Sequence, residues 1–220
     1  AFPPMGCRAF LSVFKDENDK PIFYGRGNLG VCSVNLPYAA LESGGDVRKF
    51  FKIMDEKLEL ARQVCELRYE KLRGVKASIA PILWQHGAIS RLGPDDDILK
   101  AIDERGFTVT IGYSGLYETV KYLTGKSHTT EEGFELAEHI MRYLRDKLAN
   151  FKINQPHLRF ALYGTPQEST TGWFSEKLKV RFGDVPDITD KGWITNSYHV
   201  DIREEIDAFE KLAFESQFQQ

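Results

Sequence analysis

The chain has 220 residues, of which 42% are hydrophobic and 28% charged, with a formal net charge of -3. Its apolar content excludes an intrinsically disordered chain, and no apolar run approaches the ~20 residues of a membrane span. Near-balanced charge argues against a general affinity for nucleic acid or anionic membranes, and the length suits one large domain or two small ones.

The first residues, Ala1 to Cys7, carry neither the charged nor the apolar region of a signal peptide, so a cytoplasmic protein is expected. Residues 9–14 form a β-prone run, 15–21 a polar turn, and 22–24 resume the strand pattern. Gly25, Gly27 and Gly30 precede an alternating strand over 31–36 that Pro37 is expected to close. A long amphipathic helix is predicted over 46–73, with Asp46 as its N-cap and Gly74 as its stop. Residues 80–84 read as a strand, and Pro94 with Asp95, Asp96 and Asp97 as a helix start. A strand over 107–111, ended by Gly112, leads to a short helix near 115–124. Thr129 and Glu132 have capping-box spacing before a helix whose apolar face includes Phe134, Ala137, Met141, Leu144, Leu148 and Phe151. A strand over 158–163, a helix over 170–182, a strand around 198–200 and a helix near 203–214 complete the chain. This alternation predicts an α/β architecture with parallel strands.

Few residues announce chemistry by spacing. The three cysteines are too few for a disulfide framework, and no Cys-x-x-Cys or His-x-x-x-His pair gives the local spacing of a zinc module. Cys7, behind Pro3-Pro4-Met5-Gly6, reads either as a small buried hydrophobe or as a thiol displayed on a loop tip. Cys32 and Cys65 read as core residues. Gly25-Arg26-Gly27-Asn28-Leu29-Gly30 invites a phosphate-loop reading but fits neither the dinucleotide nor the Walker pattern; a hairpin bend with a bulge serves equally. The turn from Gly164 to Gly172 sets hydroxyls at a helix start. It suits either an anion or plain capping by Ser169 or Thr170. Thr195-Asn196-Ser197-Tyr198-His199 gathers polar groups that an ordinary turn would also explain. The three aspartates at 95–97 suit a solvated helix start better than a metal site.

Taken together, Pro4-Met5-Gly6-Cys7-Arg8, Gly25 to Gly30, Val34-Asn35-Leu36-Pro37, Ala80-Pro81-Ile82-Leu83, Tyr117-Glu118-Thr119, Thr165-Pro166 with Glu168, and Asp190-Lys191-Gly192 with Thr195-Asn196-Ser197 resemble the anaerobic, class III ribonucleoside-triphosphate reductases. These are glycyl-radical enzymes. The resemblance runs in order over nearly the whole chain. It implies part of a ten-stranded α/β barrel, residues 1–220, with a finger loop at 1–30 carrying the thiyl-radical cysteine.

By that resemblance Cys7 becomes the thiyl radical, abstracts the 3′ hydrogen of a ribonucleoside triphosphate, and the 2′ hydroxyl leaves as water. Met5 and Asn28 match active-site positions. Asn28, where other ribonucleotide reductases place a carboxylate, implies formate as reductant, because a fixed anion would repel it. Thr165, Ser169 and Thr170, with Asn196 and His199 behind them, are the implied substrate-binding residues. The resemblance also implies a glycyl radical, zinc, a radical-SAM activase, the remainder of the reductase, and a homodimer in the complete enzyme. No metal ligand, membrane or direct nucleic-acid contact is expected in this chain.

The chain departs from the family pattern at Gly27, where an Asn is common, and in the residues after Thr165-Pro166. The glycyl-radical motif, zinc module and N-terminal regulatory region are expected to be absent, so the isolated chain is expected to be inactive and to associate through unpaired strand edges. A rival from another class is a non-catalytic, split-gene subunit that binds nucleotide or assembles with a partner chain.

Overall fold

The computed structural model describes residues 4–5, 9–11, 14–155 and 157–218, the side chains of residues 4, 5, 9 and 10 excepted. Two short strands, β1 (Pro4–Met5) and β2 (Ala9–Phe10), pair antiparallel with Met5 opposite Ala9. The main sheet comprises β3 (Asn28–Asn35), β4 (Thr108–Ser114) and β5 (Arg159–Gly164), in the order β3-β4-β5. Thr108 N donates to Gly27 O, and the Thr110 hydroxyl reaches Gly30 O at 3.1 Å, so β3 and β4 advance together in a parallel α/β arrangement. Every residue of β4 is buried, as expected of the central strand, whereas β3 and β5 are mostly half-buried.

Eight helices accompany the strands among the described residues. They are α1 (Leu36–Ser43), α2 (Val47–Glu70), α3 (Pro81–Trp84), α4 (Leu99–Glu104), α5 (Leu116–Thr124), α6 (Glu131–Asn154), α7 (Ser169–Phe182) and α8 (Ala208–Ser216). None is long and apolar enough to cross a membrane.

By contact the residues form two compact units. The first comprises Ala1–Cys32, Ala61–Ile111 and Leu148–Leu162. In it the Phe14 ring lies 5.6 Å from the Arg26 guanidinium and 4.2 Å from that of Arg159. A Cβ on Gly106 would fall 2.3 Å from the same ring, so only glycine lets Phe14 seat there. Arg68 donates to Val31 O at 2.9 Å, tying α2 to β3.

The second unit comprises Ser33–Leu60, Gly112–Lys147 and Tyr163–Gln220. Its core gathers Leu41 of α1, Leu178 of α7, and Ile188 and Ile194, with Tyr38, Tyr122 and Phe174 packed on them. His128 is fully buried amid Tyr117, Phe214 and Phe218. Its Nε2 lies 3.1 Å from Tyr198 O, so that nitrogen carries the proton, and buried Nδ1 has no partner.

Several local expectations are corrected. Residues 80–84 form no strand; Pro81 starts α3, where its missing N–H costs nothing. Pro37 does not merely close a strand: it sits in the first turn of α1, which Asn35 caps through Tyr38 N. Gly112 lies inside β4 rather than ending it. Residues 22–24 and 198–200 are not strands, although Ile22 N does bond Phe14 O across the polar turn. The cap at α6 is Thr130, whose hydroxyl accepts from Gly133 N, while Thr129 turns to Glu204. The glycine-rich run is no hairpin bend, since it leads straight into β3 beside a parallel neighbour.

Candidate active site

Cys7 lies outside the described residues, and Met5 falls in β1. Asn28, the first residue of β3, has a defined setting. Its Nδ2 donates to Thr110 Oγ1 at 2.8 Å, and its Oδ1 accepts from Gly30 N at 2.7 Å. A carboxamide offers two N–H groups and two lone pairs, so one of each remains for a ligand. The position next to it explains the departure at Gly27: a Cβ there would fall 2.6 Å from the Phe107 ring.

The second cluster begins where β5 ends. Thr165 Oγ1 and Ser33 Oγ meet at 2.8 Å. Both lie over Gly112, where a Cβ would be 1.8 Å from the first and 2.6 Å from the second. The chain then turns into α7. Neither Ser169 nor Thr170 caps this helix, which corrects the plain capping reading. The N-cap is Glu168, at a φ of +46°, and no side chain bonds the first-turn amides in the capping manner. Ser169 and Thr170 are exposed at this start, and the first turn holds no acidic residue. Gln167 is buried, and neither atom of its carboxamide has a partner.

The segment after α7 closes on this turn. Asn196 Oδ1 accepts from Gln167 N at 2.9 Å, and a Cβ on Gly164 would lie 3.3 Å from that of Ser197. Thus the structure brings Asn196 to the turn that carries Thr165. His199 points to α8 instead, its Nδ1 2.9 Å from Glu215 Oε2. Burial opposes the Glu215 charge, but the Lys211 ammonium, the Val200 N–H and His199 outweigh it and hold the carboxyl below its ordinary range.

Sequence reasoning missed a buried ionic cluster in the same unit. Lys191 Nζ lies 2.5 Å from Glu118 Oε1 and also pairs with Asp201 Oδ2. Side-chain exposure is 2% for the lysine and 0% for both carboxylates. Arg203 Nε bonds the other Asp201 oxygen at 2.9 Å, so two cations balance two anions. Burial alone would raise the Asp201 carboxyl; hydrogen bonds from Arg203 and Lys191 overcome it and bring it down to about 2. A signal was present. Glu118 follows Leu116 and Tyr117 and precedes Thr119 and Val120, all buried, and a charge on such a face needs a partner.

The remaining cysteines are not activated thiols. Burial raises Cys32, against a smaller opposing effect of Arg68, and pushes Cys65 up to about 11. No group of three or more His, Cys, Asp or Glu among the described residues could hold a metal ion, so the described part offers no fit for zinc.

A family model described as anaerobic ribonucleoside-triphosphate reductase matches residues 2–220. The chain is 40% identical over 218 residues to the anaerobic ribonucleoside-triphosphate reductase of Escherichia coli, covering 98% of this chain and 30% of that protein. It is 38% identical over 220 residues to that of Enterobacteria phage T4, covering 98% and 35%. The chain therefore spans 30 to 35% of the length of these two curated relatives. The crystal structure of the anaerobic ribonucleotide reductase from Thermotoga maritima with citrate in the active site superposes with a TM-score of 0.72 at 19% identity. It covers 95% of this chain and 36% of that one, a likeness of fold.

Proposed function

This chain belongs to the anaerobic ribonucleoside-triphosphate reductase family, and on that basis we propose that it supplies the radical cysteine and the triphosphate-binding turn of a longer reductase. In this reading the Cys7 thiyl takes the 3′ hydrogen of a ribonucleoside triphosphate. The 2′ hydroxyl takes up a proton and departs as water. Formate supplies the two electrons that replace the C–O bond by C–H, and leaves as carbon dioxide. The remaining N–H and lone pair of Asn28 orient a ribose hydroxyl or the formate, and its neutrality spares the formate a like charge. Met5 is assigned to the active site by its place in the family's Met-Gly-Cys block. Thr165, Ser169 and Thr170 receive the phosphates, with Asn196 behind them, while His199 is held at Glu215 in α8. The radical glycine, zinc, the radical-SAM activase and the homodimer are contributions of the complete enzyme, which we place in the cytoplasm.

The observation that carries the reading is the start of α7. It has no side-chain cap, no acidic residue in its first turn, and a buried carboxamide without a partner in the residue two before it. Thr170 N and Thr171 N turn back to Gln167 O and Glu168 O, so an anion is drawn by the positive end of the helix together with the exposed hydroxyls of Ser169 and Thr170. The test is Cys7→Ala in the complete, radical-loaded enzyme under anaerobic conditions. Turnover is expected to vanish, and retained turnover would overturn the assignment. Isotope-labelled formate is expected to yield labelled carbon dioxide; its failure to do so would reject formate while leaving the reductase reading intact.

A further inference from the structure

We infer that Glu118 and Lys191 are positioning residues for the substrate turn, acting through Thr195 and Asn196. The inference rests on the reading above that the start of α7 receives the triphosphate.

A single oxygen, Glu118 Oε1, takes three donors: Lys191 Nζ at 2.5 Å, Thr195 N at 2.7 Å and Thr195 Oγ1 at 2.7 Å. Two of the three belong to the residue directly before Asn196. The backbone is held on both sides of Asn196 as well. Gly115 N donates to Thr195 O at 2.9 Å, and Leu116 N donates to Ser197 O at 3.1 Å. Asn196 is thus clamped between two residues fixed to the start of α5, and its side chain reaches the Gln167 amide.

An ion pair this deeply buried is weak as a source of stability, since apolar residues of similar volume often serve as well. What apolar residues could not do is accept both donors of Thr195. The lysine gives that buried carboxyl a partner 2.5 Å away, and Arg203 leaves it free to do so by sharing Asp201. The chain of contacts runs from Lys191 to Glu118, to Thr195, to Asn196, to Gln167 N, where α7 begins.

The test is a double-mutant cycle on ribonucleoside-triphosphate affinity, measured by equilibrium dialysis with the complete reductase. Asn196→Ala and Glu118→Leu, which removes the acceptor of both Thr195 donors, are each expected to raise Kd about tenfold, the scale of one well-placed hydrogen bond. Combined, they are expected to do little more than either alone, because both break the same linkage. If Glu118→Leu does not fold, Glu118→Leu/Lys191→Met removes the pair while Asp201 keeps Arg203, and is expected to give the same rise. Multiplying effects, or an unchanged Kd in both pair variants with a raised Kd in Asn196→Ala, would overturn the positioning role alone. An unchanged Kd in Asn196→Ala would overturn the substrate-turn reading and this inference with it.

Discussion

Asn28 and Thr110 join β3 to β4 through their side chains, the amide donating to the hydroxyl at 2.8 Å while Gly30 N holds the opposite end of the amide. The carboxamide is therefore oriented before any ligand arrives. Thr110→Val, which keeps the shape and removes the acceptor, is expected to lower kcat about tenfold with little change in nucleotide affinity. Steady-state kinetics on the complete enzyme would show it. Asn28→Asp places an anion at the same spot and is expected to raise KM for formate more than KM for nucleotide.

Lys191 stands between two fully buried carboxylates. Lys191→Met leaves them with one cation and is expected to cost about 3–5 kcal/mol of stability, read from denaturant midpoints. Lys191→Met/Glu118→Gln is expected to recover a large part of that loss. The folded Asp201 carboxyl, at about 2, lies below its ordinary 3.8. Its contribution is thus complete above pH ~4 and is lost as the pH falls towards 2.

His128 titrates in a milder range. Burial lowers its pKa from the ordinary 6.5, against the opposing pull of the Tyr198 carbonyl and of Glu204. The unfolded chain then binds the proton more readily, so stability is full above pH ~6.5 and declines as the pH falls below it. His128→Gln, which can keep a donor towards Tyr198 O, is expected to flatten the slope of the urea midpoint between pH 7 and 5. An unchanged slope would mean that other groups set it.

Gly27 meets the Phe107 ring before any side chain could form. Gly27→Asn, the residue common in the family, is expected to destabilise the chain by about 1–3 kcal/mol through overpacking. A second change, Phe107→Ala, should make Gly27→Asn far less costly than it is alone. A thermal-melt cycle over the four combinations checks both statements.

The helices were largely readable because their signals are local. Asp46 caps α2 by accepting from Arg48 N and Lys49 N, and Gly74 turns at a φ of +78° beyond its end. Residues 80–84 misled because a short apolar run after a proline suits a strand as well as one helical turn. Residues 198–200 looked like a strand, yet Val200 N donates to Glu215, 15 residues away, rather than to a neighbouring strand. Asn28, Thr165 and Asn196 stood out through the family blocks. Ser33 and Gln167 did not stand out, because what marks them is tertiary: a hydroxyl pair and an unpartnered buried amide; Lys191 stood in a family block, but its ion pairs with Glu118 and Asp201 did not show in the sequence.

The bare Cα of Gly112 has a use beyond packing. One methyl group there collides with the hydroxyls of Thr165 and Ser33, and it does so from inside a fully buried strand that cannot shift aside. Gly112→Ala would strike the turn proposed to receive the nucleotide while leaving the sequence around Cys7 unchanged. On the proposed mechanism, the complete enzyme carrying this change is expected to accept its radical and then idle, so that charging could be followed apart from turnover.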